Sequence, residues 1–143
     1  MIGMFAIHDT MSFMRPPVAT TCVGQAASAA GVLLAAGAPG MRTALPNARV
    51  LLHQPHGGMQ GQSVDMEIQV RETVEMRERM VDILVAATGQ TAERIRTDLD
   101  RDFILRGDAA VTYGVVDDIV TAREIAPMVP LTPGTDRQLA PTG

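Results

Sequence analysis

The hydrophobic and polar positions of this chain switch repeatedly between a helical period and short extended runs. Apolar residues at helical spacing over residues 1–14 predict a helix that ends at Arg15-Pro16-Pro17. Aliphatic and β-branched runs predict strands, and small-residue segments closed by glycine predict short helices. Strands are expected at 18–23, 42–45, 49–53 and 115–120, and the strand at 42–45 is expected at a sheet edge. Helices are expected at 28–36, 91–99 and 108–113, and a connector at 102–105. This alternation is typical of an α/β layered fold.

One long helix is predicted from Ser63 to Thr88, with Gly89 as its C-terminal stop. Its apolar residues lie on more than one face, whereas a helix on the surface of a single domain normally has one apolar stripe. We interpret the second face as a surface that packs against another subunit. The alternative is a single stripe that the sequence defines poorly.

Composition narrows the possible functions. Hydrophobic residues make up 46% of the 143 residues and aromatic residues only 3%, so the core must consist of Ala, Val, Leu, Ile and Met. The net charge of -4, without a basic patch among aromatic residues, argues against nucleic-acid binding. No apolar run approaches the roughly 18–20 residues that a membrane span needs, and no signal peptide is recognisable. We therefore expect a soluble, cytoplasmic protein that binds neither nucleic acid nor membrane.

Metal and thiol chemistry are not indicated. Cys22 is the single cysteine, which excludes an intrachain disulfide and a cysteine-based zinc site. Within an apolar strand it is better explained as a buried structural residue than as a nucleophile. His53 and His56 have metal-ligand spacing, but Pro55 between them argues against a helical pair. We expect no metal and no other cofactor.

A serine at a strand–helix junction is the first candidate for catalysis. Ser28 lies in the segment GQAASAAG over residues 24–31, where small neighbours permit a tight turn that exposes the hydroxyl. The backbone N–H of Ala29 begins the helix and is a natural oxyanion donor. Serine is also a preferred N-cap residue, and for this segment alone capping is the favoured explanation.

Two further residues complete a possible catalytic set. His53 ends an apolar strand, and by itself it is better explained as a hydrogen-bonding residue at the sheet edge. Asp102, in Asp100-Arg101-Asp102, by itself belongs to a solvated charge cluster. Together with Ser28 they supply nucleophile, general base and orienting carboxylate, the three roles of a serine-hydrolase triad.

These residues occur in strings that resemble the proteolytic subunit family of the ATP-dependent Clp protease, ClpP. The strings keep the family's order and spacing without gaps from about residue 5 to residue 121. Several independent motifs in register make the resemblance specific. They are Gly24-Gln25-Ala26-Ala27-Ser28, Leu45-Pro46-Asn47 with Arg49-Val50, His53-Gln54-Pro55 with Gly57-Gly58 and Gly61-Gln62, Asp100-Arg101-Asp102, and Ala110-Val111 with Tyr113-Gly114 and Val116-Asp117.

The resemblance implies a ClpP/crotonase-like α/β fold of stacked β-α units with a protruding handle helix, here residues 63–88. It also implies self-association into heptameric rings that stack in pairs through the handles, possible mixing with a paralogue, and unfolded polypeptide substrates delivered by an AAA+ unfoldase of the ClpX, ClpC or ClpA type. By the same resemblance, Ser28, His53 and Asp102 match the catalytic triad, Ala29 the oxyanion donor, Asp100 and Arg101 a ring–ring contact, and Phe13, Val23, Leu45 and Val120 the unfoldase-docking cleft.

The chain also departs from the family pattern. The family's axial loop, its first strands and the glycine-rich loop that carries a second oxyanion donor precede the position of Met1. We therefore expect a peptidase domain over residues 1–125 that lacks them, followed by a disordered proline-rich tail over 126–143. Thr21 and Thr43 stand at cleft positions that are usually apolar, which predicts weaker docking. His56 replaces an apolar residue beside the substrate strand, and Arg106 replaces a small helix-capping residue.

Three functions remain open at this point. The first is an active serine endopeptidase, favoured by the complete triad. The second is a truncated, catalytically weak subunit that serves ring assembly or regulation. The third is a crotonase-type enzyme acting on acyl thioesters, which the triad disfavours because those enzymes rely on paired backbone N–H groups.

Overall fold

The computed structural model describes residues 1–55, 58 and 60–121, in which short strands alternate with helices. The expected tail over 126–143 and His56 lie outside the described residues. The helices are α1 (Ile2–Phe13), α2 (Ala29–Ala35), α3 (Ser63–Thr88), α4 (Ala92–Asp98) and α5 (Asp108–Tyr113). The strands are β1 (Thr20–Cys22), β2 (Gln25–Ala27), β3 (Arg42–Ala44), β4 (Arg49–Leu52), β5 (Phe103–Arg106) and β6 (Asp118–Ile119).

The described strands form two three-stranded sheets. One has the order β1-β3-β6 and is parallel throughout. The other has the order β2-β4-β5, with β2 parallel and β5 antiparallel to the central β4. The predicted α/β class is confirmed.

The predicted helices are confirmed, because their periods and stop signals are local. The 26-residue α3 ends at Gly89, whose φ of 72° is left-handed. Gly114 ends α5 in the same way, with φ 93°. Thr91 caps α4 through a hydrogen bond that its side chain accepts from the Arg94 N–H, at 3.2 Å.

Several strand predictions are wrong in detail. The expected strand at 18–23 is shorter, and a second strand, β2, follows it after Gly24, which has φ 76°. The expected edge strand at 42–45 is β3, the central strand of its sheet. The expected connector at 102–105 contains β5, and the strand expected at 115–120 is only two residues long. Strands this short have too few residues for an alternating pattern to emerge.

The core consists of aliphatic side chains from both sheets and from the helices around them, as the composition required. The largest fully buried side chains are Leu52, Met80, Leu84, Ile95, Val32, Val50, Val81, Val115 and Val116. In α3 the buried residues are Met80, Val81 and Leu84, all in the last third of the helix. The earlier turns of α3 carry exposed apolar residues, which agrees with the expectation of a second apolar face.

A buried arginine joins the C-terminal ends of three helices. The Arg42 Nη1 donates to the carbonyl oxygens of Ala35 (3.1 Å), Ala87 (2.7 Å) and Gly114 (2.8 Å), at the ends of α2, α3 and α5. Its Nε and Nη2 donate to the two carboxylate oxygens of Asp117, at 3.0 and 2.5 Å. These hydrogen bonds lower the pKa of Asp117 to about 2. A positive charge at helix C-termini is favourable because carbonyl dipoles point there.

Candidate active site

Ser28 connects β2 to α2 in an unusual backbone conformation. Its φ of 54° and ψ of -119° make it the one described residue other than glycine with a positive φ. Its N–H donates to the Leu51 carbonyl at 2.7 Å, which fixes the turn against β4. The side chain makes no capping hydrogen bond to α2. The capping explanation is therefore wrong, and the hydroxyl is held by a strained turn of the kind seen at nucleophile elbows.

Close packing behind this turn explains the small residues around Ser28. A Cβ at Gly31 would lie 2.8 Å from the Leu52 side chain and 3.3 Å from that of Val50. Glycine at position 31 therefore lets the first turn of α2 approach β4 without displacing the Leu52 and Val50 side chains. Ala29 is the first residue of α2, where a helical N–H has no acceptor within its own helix.

Strand register brings the three predicted catalytic residues to one end of the second sheet. Ala27 pairs with Leu51 across the parallel β2 and β4, and Leu52 pairs with Phe103 across the antiparallel β4 and β5. His53 and Asp102 lie directly beyond the Leu52–Phe103 pair, and Ser28 directly follows Ala27 at the level of Leu52, one position before His53. Because β4 is central and neighbouring strands lie about 4.8 Å apart, His53 occupies the middle position between the other two.

The imidazole of His53 is half-buried, and its Nδ1 lies 2.7 Å from the carbonyl oxygen of Gln54. A carbonyl oxygen can only accept, so this contact favours the tautomer with a proton on Nδ1. The lone pair is then on Nε2, as a general base in a triad requires.

The segment that carries Asp102 is tied to the residue after His53. The Gln54 N–H donates to the Leu99 carbonyl at 2.8 Å, and its side-chain amide donates to the Asp100 carbonyl at 3.2 Å. Asp102 itself is exposed. The predicted ring–ring pair, Asp100 and Arg101, is also exposed, and the two side chains form a loose ion pair at 3.8 Å.

A buried hydrogen bond at the end of α4 was not predicted as functional. The Tyr113 hydroxyl donates to the Asp98 carboxylate at 2.9 Å, and the Arg94 Nε donates to the same oxygen at 2.6 Å. The rings of Phe103 and Tyr113 have centroids 5.0 Å apart. Burial, and then the Asp98 hydrogen bond, raise the pKa of Tyr113 well above its usual range. The sequence contains a single tyrosine and few other aromatic residues. A tyrosine that is buried needs a hydrogen-bond partner for its hydroxyl, and this was the one available sign of the contact.

Three of the four predicted docking residues stand in one row. Val23, Leu45 and Val120 follow the paired residues at the ends of the parallel β1, β3 and β6. Val23 is 71% exposed, and Phe13, the last residue of α1, is 91% exposed. Two residues before Val23 and Leu45, the hydroxyls of Thr21 and Thr43 lie 2.9 Å apart and add a polar pair to this surface.

A groove of about 820 Å³ runs beside the segment that follows His53. Its walls come from the start of α1, the middle of α3 and Pro55. They are mainly apolar, with Ile2, Ile68 and Met76, and they include the carboxylate of Glu72. Ser28, His53 and Asp102 are not among the residues that line it.

Cys22 is buried, as expected, and burial raises the pKa of its thiol. Within residues 1–55, 58 and 60–121, no group of three or more His, Cys, Asp and Glu side chains is arranged to hold a metal ion. None of the helices in the described part of the chain is both long and apolar enough to cross a membrane.

Comparison with known proteins identifies close relatives. The Clp protease family model matches residues 2–123. The ATP-dependent Clp protease proteolytic subunit 2 of Corynebacterium jeikeium is 55% identical over 125 residues, which cover 87% of this chain and 60% of that protein. Proteolytic subunit 1 of Corynebacterium efficiens is 55% identical over 124 residues, or 86% of this chain and 60% of that protein. The subunit 1 of Corynebacterium diphtheriae is 54% identical, with 86% and 59% covered. The chain thus spans about 60% of the length of these relatives.

Proposed function

This chain belongs to the Clp protease family, and from that premise we propose that it is the proteolytic subunit of a Clp-type protease, a serine endopeptidase that cleaves unfolded polypeptides. The observation that supports the proposal is the strand order β2-β4-β5, because Ser28, His53 and Asp102 each stand just outside these three strands at the same end of the sheet. The strained backbone of Ser28 supports the same role.

In the proposed reaction, Ser28 Oγ attacks the carbonyl carbon of the scissile peptide bond. His53 Nε2 takes the hydroxyl proton and then gives it to the leaving amine. Asp102 stabilises the imidazolium through Nδ1–H. For that contact the carboxylate takes the place of the Gln54 carbonyl, and a charged acceptor makes the stronger hydrogen bond.

The Ala29 N–H stabilises the oxyanion that forms in this step. One oxyanion-hole donor is typically worth a factor of about 10²–10³ in rate. By family resemblance, a second donor would come from the glycine-rich loop that precedes the position of Met1.

The substrate would lie extended in the groove beside Pro55. Apolar walls from Ile68 and Met76 favour the apolar side chains that unfolded polypeptides expose. An extended chain also presents its peptide bonds to the end of the sheet where Ser28 is held. Folded proteins would be excluded, because their peptide bonds are already engaged in secondary structure.

Assembly and delivery complete the proposal. The outer turns of α3 would pair stacked heptameric rings, with Asp100 and Arg101 at the ring–ring contact. The row of Val23, Leu45 and Val120, with Phe13 near it in the cleft, would receive a loop of an AAA+ unfoldase in the cytoplasm.

Replacing the nucleophile tests the function. Ser28→Ala should lower hydrolysis of a fluorogenic peptide by about 10⁴-fold or more, and should abolish labelling by a fluorophosphonate probe. Ser12→Ala is the matched control, because the Ser12 hydroxyl bonds only to the His8 carbonyl in its own helix. A wild-type protein that assembles but neither cleaves nor becomes labelled would instead be a non-catalytic assembly subunit. Labelling that persists in Ser28→Ala would also rule out the proposal.

A further inference from the structure

The backbone that carries the proposed general base is fastened to the end of α4. Gln54, directly after His53, donates its N–H to the Leu99 carbonyl at 2.8 Å and its side-chain amide to the Asp100 carbonyl at 3.2 Å. The carbonyl of Gln54 in turn lies 2.7 Å from His53 Nδ1. The position of Gln54, and with it the adjoining backbone of His53, therefore depends on where residues 99 and 100 lie.

The end of α4 is fixed from its other side by a buried tyrosine. Tyr113 is only 6% exposed, and its hydroxyl donates to the Asp98 carboxylate at 2.9 Å. Asp98 is the last residue of α4, directly before Leu99. The Gln90 side-chain amide donates to the Tyr113 carbonyl at 3.1 Å, and the ring packs against Phe103, so the tyrosine is itself held in place.

Asp102 shares this anchor. It lies four residues after Asp98, in the turn between α4 and β5, and β5 begins with the Phe103 that packs against Tyr113. Tyr113 thus contacts both ends of the segment from 98 to 103. Gln54 contacts the middle of the same segment.

We propose that Tyr113 is a positioning residue of the peptidase reaction, which acts through Asp98 to align His53 and Asp102. The inference rests on the proposed function, because it assigns a task to residues that serve the triad. Alignment is a demanding requirement: a displacement of about 1 Å at a reacting group can cost a factor of about 10² in rate. Tyr113 touches neither the substrate nor the reacting atoms in this role.

Arg94 does not explain the arrangement equally well. Its side chain is 57% exposed, whereas the carboxylate of Asp98 is only 12% exposed. Exposed ion pairs between residues four apart on a helix contribute little. The buried hydroxyl is the partner that ties α4 to a different element, α5. Because its pKa is raised, the hydroxyl is protonated at neutral pH and can donate to Asp98.

The experiment compares Tyr113→Phe with two substitutions of Asp98 in the assembled protein. Tyr113→Phe removes only the hydroxyl, and we expect kcat for a fluorogenic peptide to fall about tenfold with KM changed less than twofold. Asp98→Ala should give the same loss. Asp98→Asn keeps an oxygen that can accept from Tyr113 while it removes the charge that pairs with Arg94, so it should retain kcat within about twofold. The double variant Tyr113→Phe/Asp98→Ala should lose no more than either single variant, because both remove one link.

A stability control separates positioning from general loosening. Val81→Ala creates a cavity in the core at α3 and lowers the melting temperature, and it removes none of the hydrogen bonds that form the anchor. We expect its kcat below the melting transition to be unchanged. If Tyr113→Phe does not assemble, the kcat of Asp98→Ala is compared with that of Asp98→Asn. The first variant removes the acceptor of the Tyr113 hydroxyl, and the second keeps it.

Three results would overturn the inference: wild-type kcat in Tyr113→Phe, an equal loss of kcat in Val81→Ala, or additive losses in the double variant. Ser28→Ala makes this failure distinguishable from failure of the proposed function. If hydrolysis requires Ser28 and is indifferent to Tyr113, only the positioning role is wrong. If hydrolysis does not require Ser28, the proposed function is wrong as well.

Discussion

At the scale of single residues, Ser28 and Gly107 occupy the same kind of strand–helix turn, one with a side chain and the other without. Gly107 joins β5 to α5 with φ 47° and ψ -133°, close to the φ 54° and ψ -119° of Ser28 between β2 and α2. Glycine adopts this conformation without a Cβ clash, whereas for serine it costs about 1–3 kcal/mol. The chain therefore keeps a serine at position 28, although the backbone there would be less strained with a glycine.

Glycine at position 28 should relieve this strain. We expect Ser28→Gly to have a free energy of unfolding about 1 kcal/mol higher than Ser28→Ala, because the relief exceeds the extra backbone entropy that glycine loses. Urea unfolding of both inactive variants measures the difference. Gly107→Ala is the converse control: its Cβ would meet nothing within 4 Å, so any loss of stability reports backbone strain alone. A less stable Ser28→Gly would show that the turn is not strained by its side chain.

At the scale of elements, α3 is divided between the core and the solvent. Its last third is buried through Met80, Val81 and Leu84. The earlier turns expose Val64 and Ile68, at 64% and 55%. Val70 and Val74 are also about half exposed. Exposed apolar side chains along two-thirds of a helix mark a surface that becomes stable when a partner covers it.

Polar substitution on these outer turns should weaken assembly and leave the fold intact. We expect Val70→Gln/Val74→Gln to raise the ring-to-ring dissociation constant by at least tenfold, because burying each aliphatic side chain is worth about 1.5–3 kcal/mol. Sedimentation velocity measures the change, and circular dichroism checks the helix. Glu75→Gln on the same turns is the matched control, as its 3.7 Å contact with Arg79 is exposed. Unchanged sedimentation of the double variant would contradict a role of α3 in assembly.

Elements differ in how far the sequence predicts them. The helices α3 and α5 follow from local periodicity and from Gly89 and Gly114, whose left-handed φ angles stop them. The strands β2 and β5 do not, because three or four residues carry no clear alternation and are defined by their pairing with β4.

The same limit applies to the candidate site. Residue types and family resemblance select Ser28, His53 and Asp102. Their position at one end of the same sheet depends on β2 and β5, which the hydrophobic pattern of the sequence did not predict. The hydrogen bond between Tyr113 and Asp98 was unpredictable for a similar reason. It joins α5 to α4, and the sequence alone does not say which carboxylate a buried hydroxyl will reach.

At the scale of the whole molecule, Arg42 connects elements that are distant in the chain. It is 7% exposed and bonds to helix ends from α2, α3 and α5, while Asp117 balances its charge beside β6. Helices α2, α3 and α5 and the residue directly before β6 thus meet at the guanidinium that β3 carries. A buried charge with one partner removed is strongly destabilising, so this contact is expected to control global stability.

Acid should therefore unfold the protein through Asp117. Its pKa is lowered from 3.8 to about 2 in the folded state, so the stabilisation is complete above about pH 4 and is lost as pH falls toward 2. We expect Asp117→Asn to be less stable than wild type by about 1–2 kcal/mol at pH 7, and the gap to close near pH 2. Urea unfolding at pH 7, 4 and 2.5 tests this. A gap independent of pH in Asp117→Asn would contradict the assignment.

The assembly of the proposed centre from three separate strands also bears on the life of the newly made chain. A ribosome completes Ser28 well before it completes Asp102, and the nascent polypeptide has no hydrolytic centre until β5 docks against β4. Under the proposed function, an incomplete chain that lacks β5 would therefore be unable to hydrolyse the proteins around it.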